Sequence, residues 1–178
     1  AVAGAIKANT KVSGDYVIYS LLDRHTYAII LCDGMGSGDE AALTSNVCSV
    51  FLKKMLSAGN AKDISIEMLN DLVRSSRGEC SATVDLFELD MLTGKACFIK
   101  SGAAPSFVCR SKNVYKIQAK TIPIGITERI RAEKIKFKLR YRHLGIDDIK
   151  SVIAVILDII YINIIVKVCN IFIYVSTR

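Results

Sequence analysis

The sequence predicts an α+β domain, a sandwich of antiparallel sheets flanked by helices. Three features carry that prediction: β-branched and aromatic runs joined by short polar turns, two neighbouring segments of helical periodicity between them, and no regular strand–helix–strand rhythm. A length of 178 residues suits one domain with a sizeable core, and 51% hydrophobic against 23% charged residues is the composition of a folded chain.

Taken in order, residues 16–22 and 27–32 are strand-like and separated by Asp23-Arg24-His25-Thr26, a hairpin signal. The glycine-rich run DGMGSG follows at 33–38 and leads into a helix on which Leu43, Val47, Val50, Phe51 and Met55 recur along one face. Asp39 and Glu40 suit the positive end of that helix, and Gly59 suits its C′ position. A second helix is expected from an Asp63 N-cap, through Met68, Leu69, Leu72 and Val73, to Gly78. Strand signals return at 81–89 and 95–100 around Thr93-Gly94, then at 105–110 and 114–117 around Ser111-Lys112-Asn113. Beyond Gly125 a basic segment, 128–142, carries alternating Ile135, Phe137, Leu139 and Tyr141, the pattern of an edge strand.

Charge and cysteine usage exclude several classes. The net charge is +7, but residues 1–126 hold 14 Lys/Arg against 12 Asp/Glu, while residues 127–178 hold 10 against 5. The body has no basic stripe interleaved with aromatics, so nucleic acid is not an expected partner. The cysteines at 32, 48, 80, 97, 109 and 169 form no CxxC pair, and with two histidines in the chain a zinc site is not expected. Most sit in apolar runs as small buried hydrophobes, which favours a reducing compartment. The opening AVAGAIKANTK has neither the charged start nor the apolar core of a signal peptide, and the lack of a starting Met is expected of a piece cut from something longer. No Cys is followed six positions later by Arg, and HExxH, GxSxG and the Walker lysine motif are absent. His25 and His143 are isolated and read as surface or turn residues.

The remaining chemistry is acidic. Asp33 closes the apolar strand AIILCD and is followed at once by Gly34, whose carbonyl is free to turn toward an ion. Carboxylate and carbonyl oxygens are the ligands that Mg²⁺ and Mn²⁺ prefer. Asp15 lies one hairpin earlier, and two antiparallel strands joined by a short turn bring it back beside Asp33. An Asp before Gly at a strand end is also an ordinary turn former, and the pattern alone leaves both roles open.

Five segments in order, VSGD, LCDGMGSGDEAALTSN, ATVDLFELD, KSGAAPSFVCR and IPIGI, resemble the phosphatase domain of the stage II sporulation protein E family, within the metal-dependent phosphatase 2C superfamily. The resemblance covers residues 1–126. It implies the sandwich fold and dephosphorylation of phosphoserine on a phosphorylated anti-anti-sigma protein that controls sporulation. Asp15 and Asp33 fall on the family's first two metal-binding aspartates and Gly34 on the glycine that offers its carbonyl. Two Mn²⁺ or Mg²⁺ ions are implied, with Asp33 between them, to activate water and clamp the phosphoryl oxygens for in-line attack. The two helices match the family's regulatory helices, which switch metal binding and through which a homodimer is expected. The implied location is the cytoplasmic side, membrane-associated as part of a longer chain.

The sequence also departs from the family. A second strand ending in Asp-Gly is expected after IPIGI, and Asp33-Gly34 has no second copy in the chain. Asp147, Asp148 and Asp158 lie in the region without the family's neighbours. The expected division is a partial phosphatase 2C-like domain at 1–139 and an atypical hydrophobic tail at 140–178. In residues 151–178, 20 of 28 are apolar and 9 are Ile, a length adequate for a membrane span but interrupted by Asp158, Asn163, Lys167 and Asn170. The reading adopted for this tail is a departure from the family's frame near Leu139 or Tyr141, by truncation, frameshift or misjoining, which sequencing of the encoding DNA tests. With fewer carboxylates one ion is poorly held, so weak or absent catalysis is expected. The alternative function is a catalytically inactive phosphatase-fold fragment or regulatory binding module.

Overall fold

The computed structural model describes residues 12–139 other than 37, 77–79 and 111–112. Its elements are β1 (Asp15–Leu21), β2 (Thr26–Gly34), α1 (Asp39–Ser57), α2 (Lys62–Ser75), β3 (Ala82–Asp90), β4 (Lys95–Ser101), β5 (Ser106–Arg110), β6 (Asn113–Ile117) and β7 (Glu133–Lys138). Strands β1-β2-β3-β4-β7 form one antiparallel sheet, and β5-β6 form a separate two-stranded hairpin. The hairpin belongs to a compact unit distinct from the one that holds the five-stranded sheet and both helices. Gly78, Ser111, Lys112, Tyr141 and the whole 140–178 tail, with Asp147, Asp148 and Asp158, lie outside the described residues.

The β1–β2 and β3–β4 hairpins are each set by their turn. Asp23 Oδ1 accepts the N–H groups of His25 and Thr26, both at 2.8 Å, and so closes the β1–β2 turn. Asp90 does the same between β3 and β4, accepting from the N–H groups of Leu92 (2.9 Å) and Thr93 (3.1 Å). Strand alternation then sorts the side chains. Ala28, Ile30 and Cys32 of β2, Ala82, Val84 and Leu86 of β3, and Ile99 of β4 share the face that builds the main core with both helices. Fully buried Ile30, Leu52, Leu69 and Leu86 each contribute about 1.5–3 kcal/mol of transfer free energy there. The opposite face is also apolar, with Phe87, Phe98 and Phe137 in ring contact at 4.9–6.4 Å between centroids.

The buried face of α1 corrects the sequence reading. Leu43 and Val47 were expected inside α1, yet they are 65% and 42% exposed. The buried side is instead Ala41, Ser45, Cys48, Ser49, Leu52 and Leu56. Its residues near the N-terminus are small because α1 lies almost flush on β2: a Cβ at Gly34 would stand 2.0 Å from the Ala41 carbonyl oxygen. The buried hydroxyls are satisfied by backbone, Ser45 donating to Ala42 O (3.0 Å) and Ser49 to Tyr16 O (3.4 Å). Gly59, at φ +81°, ends α1 as expected: its N–H donates to Leu56 O (3.0 Å) and that of Asn60 to Met55 O (3.1 Å), a Schellman closure.

In α2 the N-cap is Ala61, with no side-chain cap, and Asp63 is the second helical residue, ion-paired with Lys134. Ser65, Ile66, Leu69, Asn70 and Val73 face inward, while Ile64, Met68 and Leu72 form an exposed stripe at i, i+4, i+8. Strand β7 pairs with β4 on one side and forms the sheet edge among the described residues, carrying exposed charges (Lys134, Lys136, Lys138) suited to an edge.

Candidate metal centre

The β1–β2 hairpin sets Asp15 directly opposite Asp33. The Gly34 N–H donates to Gly14 O at 2.9 Å, so the two aspartates form a non-hydrogen-bonded pair. In such a pair the Cα atoms approach to about 4.5 Å and the side chains stand closest. Both carboxylates lie on the sheet face away from α1, since Gly34, one residue on, turns its missing Cβ into the helix. Like charges directly opposite on a sheet destabilise it. A hard cation between them reverses that sign.

The turn that follows is fixed by close contacts. Gly34 has no room for a side chain, with Ala41 O, C and Cα at 2.0, 2.7 and 2.9 Å from a Cβ built there. The Met35 N–H donates to Ser81 O at 2.9 Å, tying the turn to the start of β3. Gly36 (φ +104°) and Gly38 (φ +79°) then adopt left-handed backbone that glycine alone takes easily. Asp39 and Glu40 occupy the first turn of α1, where carboxylates offset the helix dipole.

The donors present suit Mg²⁺ or Mn²⁺ chemically: two carboxylates and a backbone carbonyl, all hard oxygens. Among the described residues no group of three or more His, Cys, Asp or Glu side chains converges on one point. Mg²⁺ is commonly held by one or two carboxylates with water and substrate phosphate completing its shell, so the donor set fits that ion.

Two neighbouring features escaped the sequence reading. Asp85 and Lys100 are register partners on β3 and β4, form an ion pair, and lie on the same face as Asp33. Their signal was available: each occupies an inward position within an apolar strand, TVDLF and CFIKS. Burial pulls the Lys100 ammonium below the usual lysine range, and the Asp85 carboxylate pulls it back in part. The cysteines near the site are not nucleophiles. Desolvation raises the Cys32 thiol strongly and pushes Cys48 up to about 12, so both stay protonated at neutral pH.

Solved structures share the fold. Serine/threonine phosphatase Stp1 from Staphylococcus aureus superposes with a TM-score of 0.66 at 13% identity, over 77% of this chain and 70% of that one. RsbX, solved in complex with magnesium, gives 0.62 at 14%, over 76% and 65%. At these identities the likeness is one of fold.

Sequence narrows the class. The profile of the Stage II sporulation protein E family matches residues 23–144. Stage II sporulation protein E of Priestia megaterium is 33% identical over 144 residues, and that of Bacillus subtilis (strain 168) 34% over 139. The solved phosphatase 2C domain of the B. subtilis protein, with a fragment of its regulatory domain, superposes at TM-score 0.69 and 33% identity, over 78% of this chain and 41% of that one. The chain belongs to the stage II sporulation protein E family. It spans 80% and 78% of its own length in the two sequence matches, but only 25% and 17% of those relatives.

No helix among the described residues is long and apolar enough to cross a membrane.

Proposed function

We propose that this domain is a metal-dependent serine/threonine protein phosphatase that removes phosphate from phosphoserine on an anti-anti-sigma protein. The observation that carries the reading is the face-to-face Asp15–Asp33 pair beside the Gly34 carbonyl. Asp15 and Asp33 bind the cation from two adjacent strands, and Gly34 offers its carbonyl from a turn that Ala41 and Ser81 hold in place. A bound Mg²⁺ or Mn²⁺ supplies Lewis acidity and a clamp for the phosphoryl oxygens. The protein contributes geometry and negative charge, with no covalent nucleophile.

The test is Mn²⁺-dependent phosphate release from a phosphoserine anti-anti-sigma protein by the intact chain and by its Asp33→Ala variant. Weak turnover that needs Mn²⁺ and falls to background in the variant is expected. The absence of a third converging carboxylate among the described residues favours a second reading, a binding module that keeps the cation without turnover. Mn²⁺ binding lost in Asp33→Ala, with no phosphate released by the intact chain, selects that reading.

A homodimer through α1 and α2 belongs to the same proposal. It is supported by the exposed apolar residues Leu43 and Val47 of α1 and Ile64, Met68 and Leu72 of α2. The Met68→Glu/Leu72→Glu double variant is expected to sediment as a monomer under conditions where the intact chain is a dimer. An intact chain that sediments as a monomer overturns the assignment.

A further inference from the structure

We propose that Asn70 is a positioning residue for the metal-binding turn, acting through the 124–128 loop and the start of β3. The inference rests on the divalent-cation reading of Asp15 and Asp33 and goes beyond it in naming the α2 residue and the bonds through which it acts.

Asn70 is 1% exposed on the inner face of α2, a place where a polar side chain persists only if its hydrogen bonds are met. They are met by one loop. The Asn70 Nδ2 donates to Thr127 O (2.9 Å) and Glu128 O (3.4 Å), and its Oδ1 accepts the Gly125 N–H (2.9 Å). The loop lies close against α2 and the start of β3. Gly125 is at φ +89°, and a Cβ there would meet Cys80 O at 2.5 Å and Val73 Cγ1 at 2.7 Å.

One residue back, Ile124 and Ala82 exchange both backbone hydrogen bonds, at 2.9 and 3.2 Å. Ala82 is the register partner of Gly34, and Ser81 O accepts the Met35 N–H at 2.9 Å. Three hydrogen-bonded links, Asn70–Gly125, Ile124–Ala82 and Ser81–Met35, joined by the chain between them, therefore connect an α2 amide to the turn that carries Asp33 and Gly34. The far end of the loop is pinned as well, Ser101 Oγ donating to Ile122 O (2.8 Å) and the Gly102 N–H to Thr121 Oγ1 (3.0 Å). A loop held at both ends passes displacement at Asn70 to Ile124 and Ala82.

Asn70→Asp keeps the acceptor for Gly125 and replaces both donations with a carboxylate set against two carbonyl oxygens. The expected result, by titration calorimetry of the intact chain with MnCl₂, is a loss of Mn²⁺ affinity of about 10-fold, the lower end for partners that orient metal ligands. Hydrogen exchange of the Met35 amide should accelerate in the same variant. A residue that only stabilises α2 would lower the melting temperature and leave both readouts unchanged, which overturns the proposal. If Asn70→Asp fails to fold, Asn70→Ser decides by the same criteria. Asp33→Ala separates the two levels: Mn²⁺ binding that survives it sinks the metal reading itself, whereas binding lost there but unaltered at Asn70 sinks this inference alone.

Discussion

Alanine at position 34 is expected to destabilise the domain by about 3 kcal/mol and to abolish Mn²⁺ binding. The added methyl would stand 2.0 Å from the Ala41 carbonyl oxygen and 2.7 Å from its carbon. These are backbone atoms in the first turns of α1, so no rotamer change relieves the collision. The helix must move away from β2, and the contacts of Ala41, Ser45 and Cys48 with the sheet loosen together. Overpacking costs of about 1–3 kcal/mol assume that side chains can yield, so the upper end applies here. Gly36→Ala is the matched comparison. Nothing lies within 4 Å of a Cβ there, and its cost comes from the left-handed backbone at φ +104°, about 1–2 kcal/mol. Urea unfolding of the two variants checks the order. A Gly34→Ala midpoint equal to or above that of Gly36→Ala would show that α1 does not bear on the turn.

The Asp15–Asp33 pair was legible in the sequence because a hairpin's register follows from its turn. Asp23 closes the turn, period-2 alternation fixes the faces, and Leu21↔Tyr27 then counts back to Asp15↔Asp33. The strands were legible for the same local reasons. The buried face of α1 was not. Periodicity follows the largest apolar side chains, Leu43 and Val47, whereas the sheet selects the smallest, Ala41, Ser45 and Cys48, because the turn at Gly34 draws the helix close. Asn70 was equally hidden. It reads as an ordinary polar residue on a helix, and its partners lie in a loop more than fifty positions away that only the folded chain brings to it. Asp63 looked like a cap because acidic residues favour helix N-termini generally, and its actual ion pair with Lys134 depends on where β7 joins the sheet.

Breaking the Asp85–Lys100 pair from one side is expected to cost about 3–5 kcal/mol, more than any substitution of the exposed charges. Lys100 is fully buried and Asp85 is 8% exposed, so Lys100→Met leaves a carboxylate in the interior without its cation. The lysine is held further by the Phe98 ring, whose centroid lies 5.5 Å from Nζ. Replacing both partners removes the desolvation cost together with the attraction, and Asp85→Leu/Lys100→Met is expected to be more stable than either single variant. The pair stands one register step from Asp33: Asp33 faces Thr83, and two residues along β3 Asp85 faces Leu31. Intact, it adds no net charge to that face, so the proposed cation site draws its negative charge from Asp15 and Asp33. A double-mutant cycle by urea unfolding measures the coupling. Single variants that each cost under about 1 kcal/mol would place the pair among weak surface bridges, which its burial argues against.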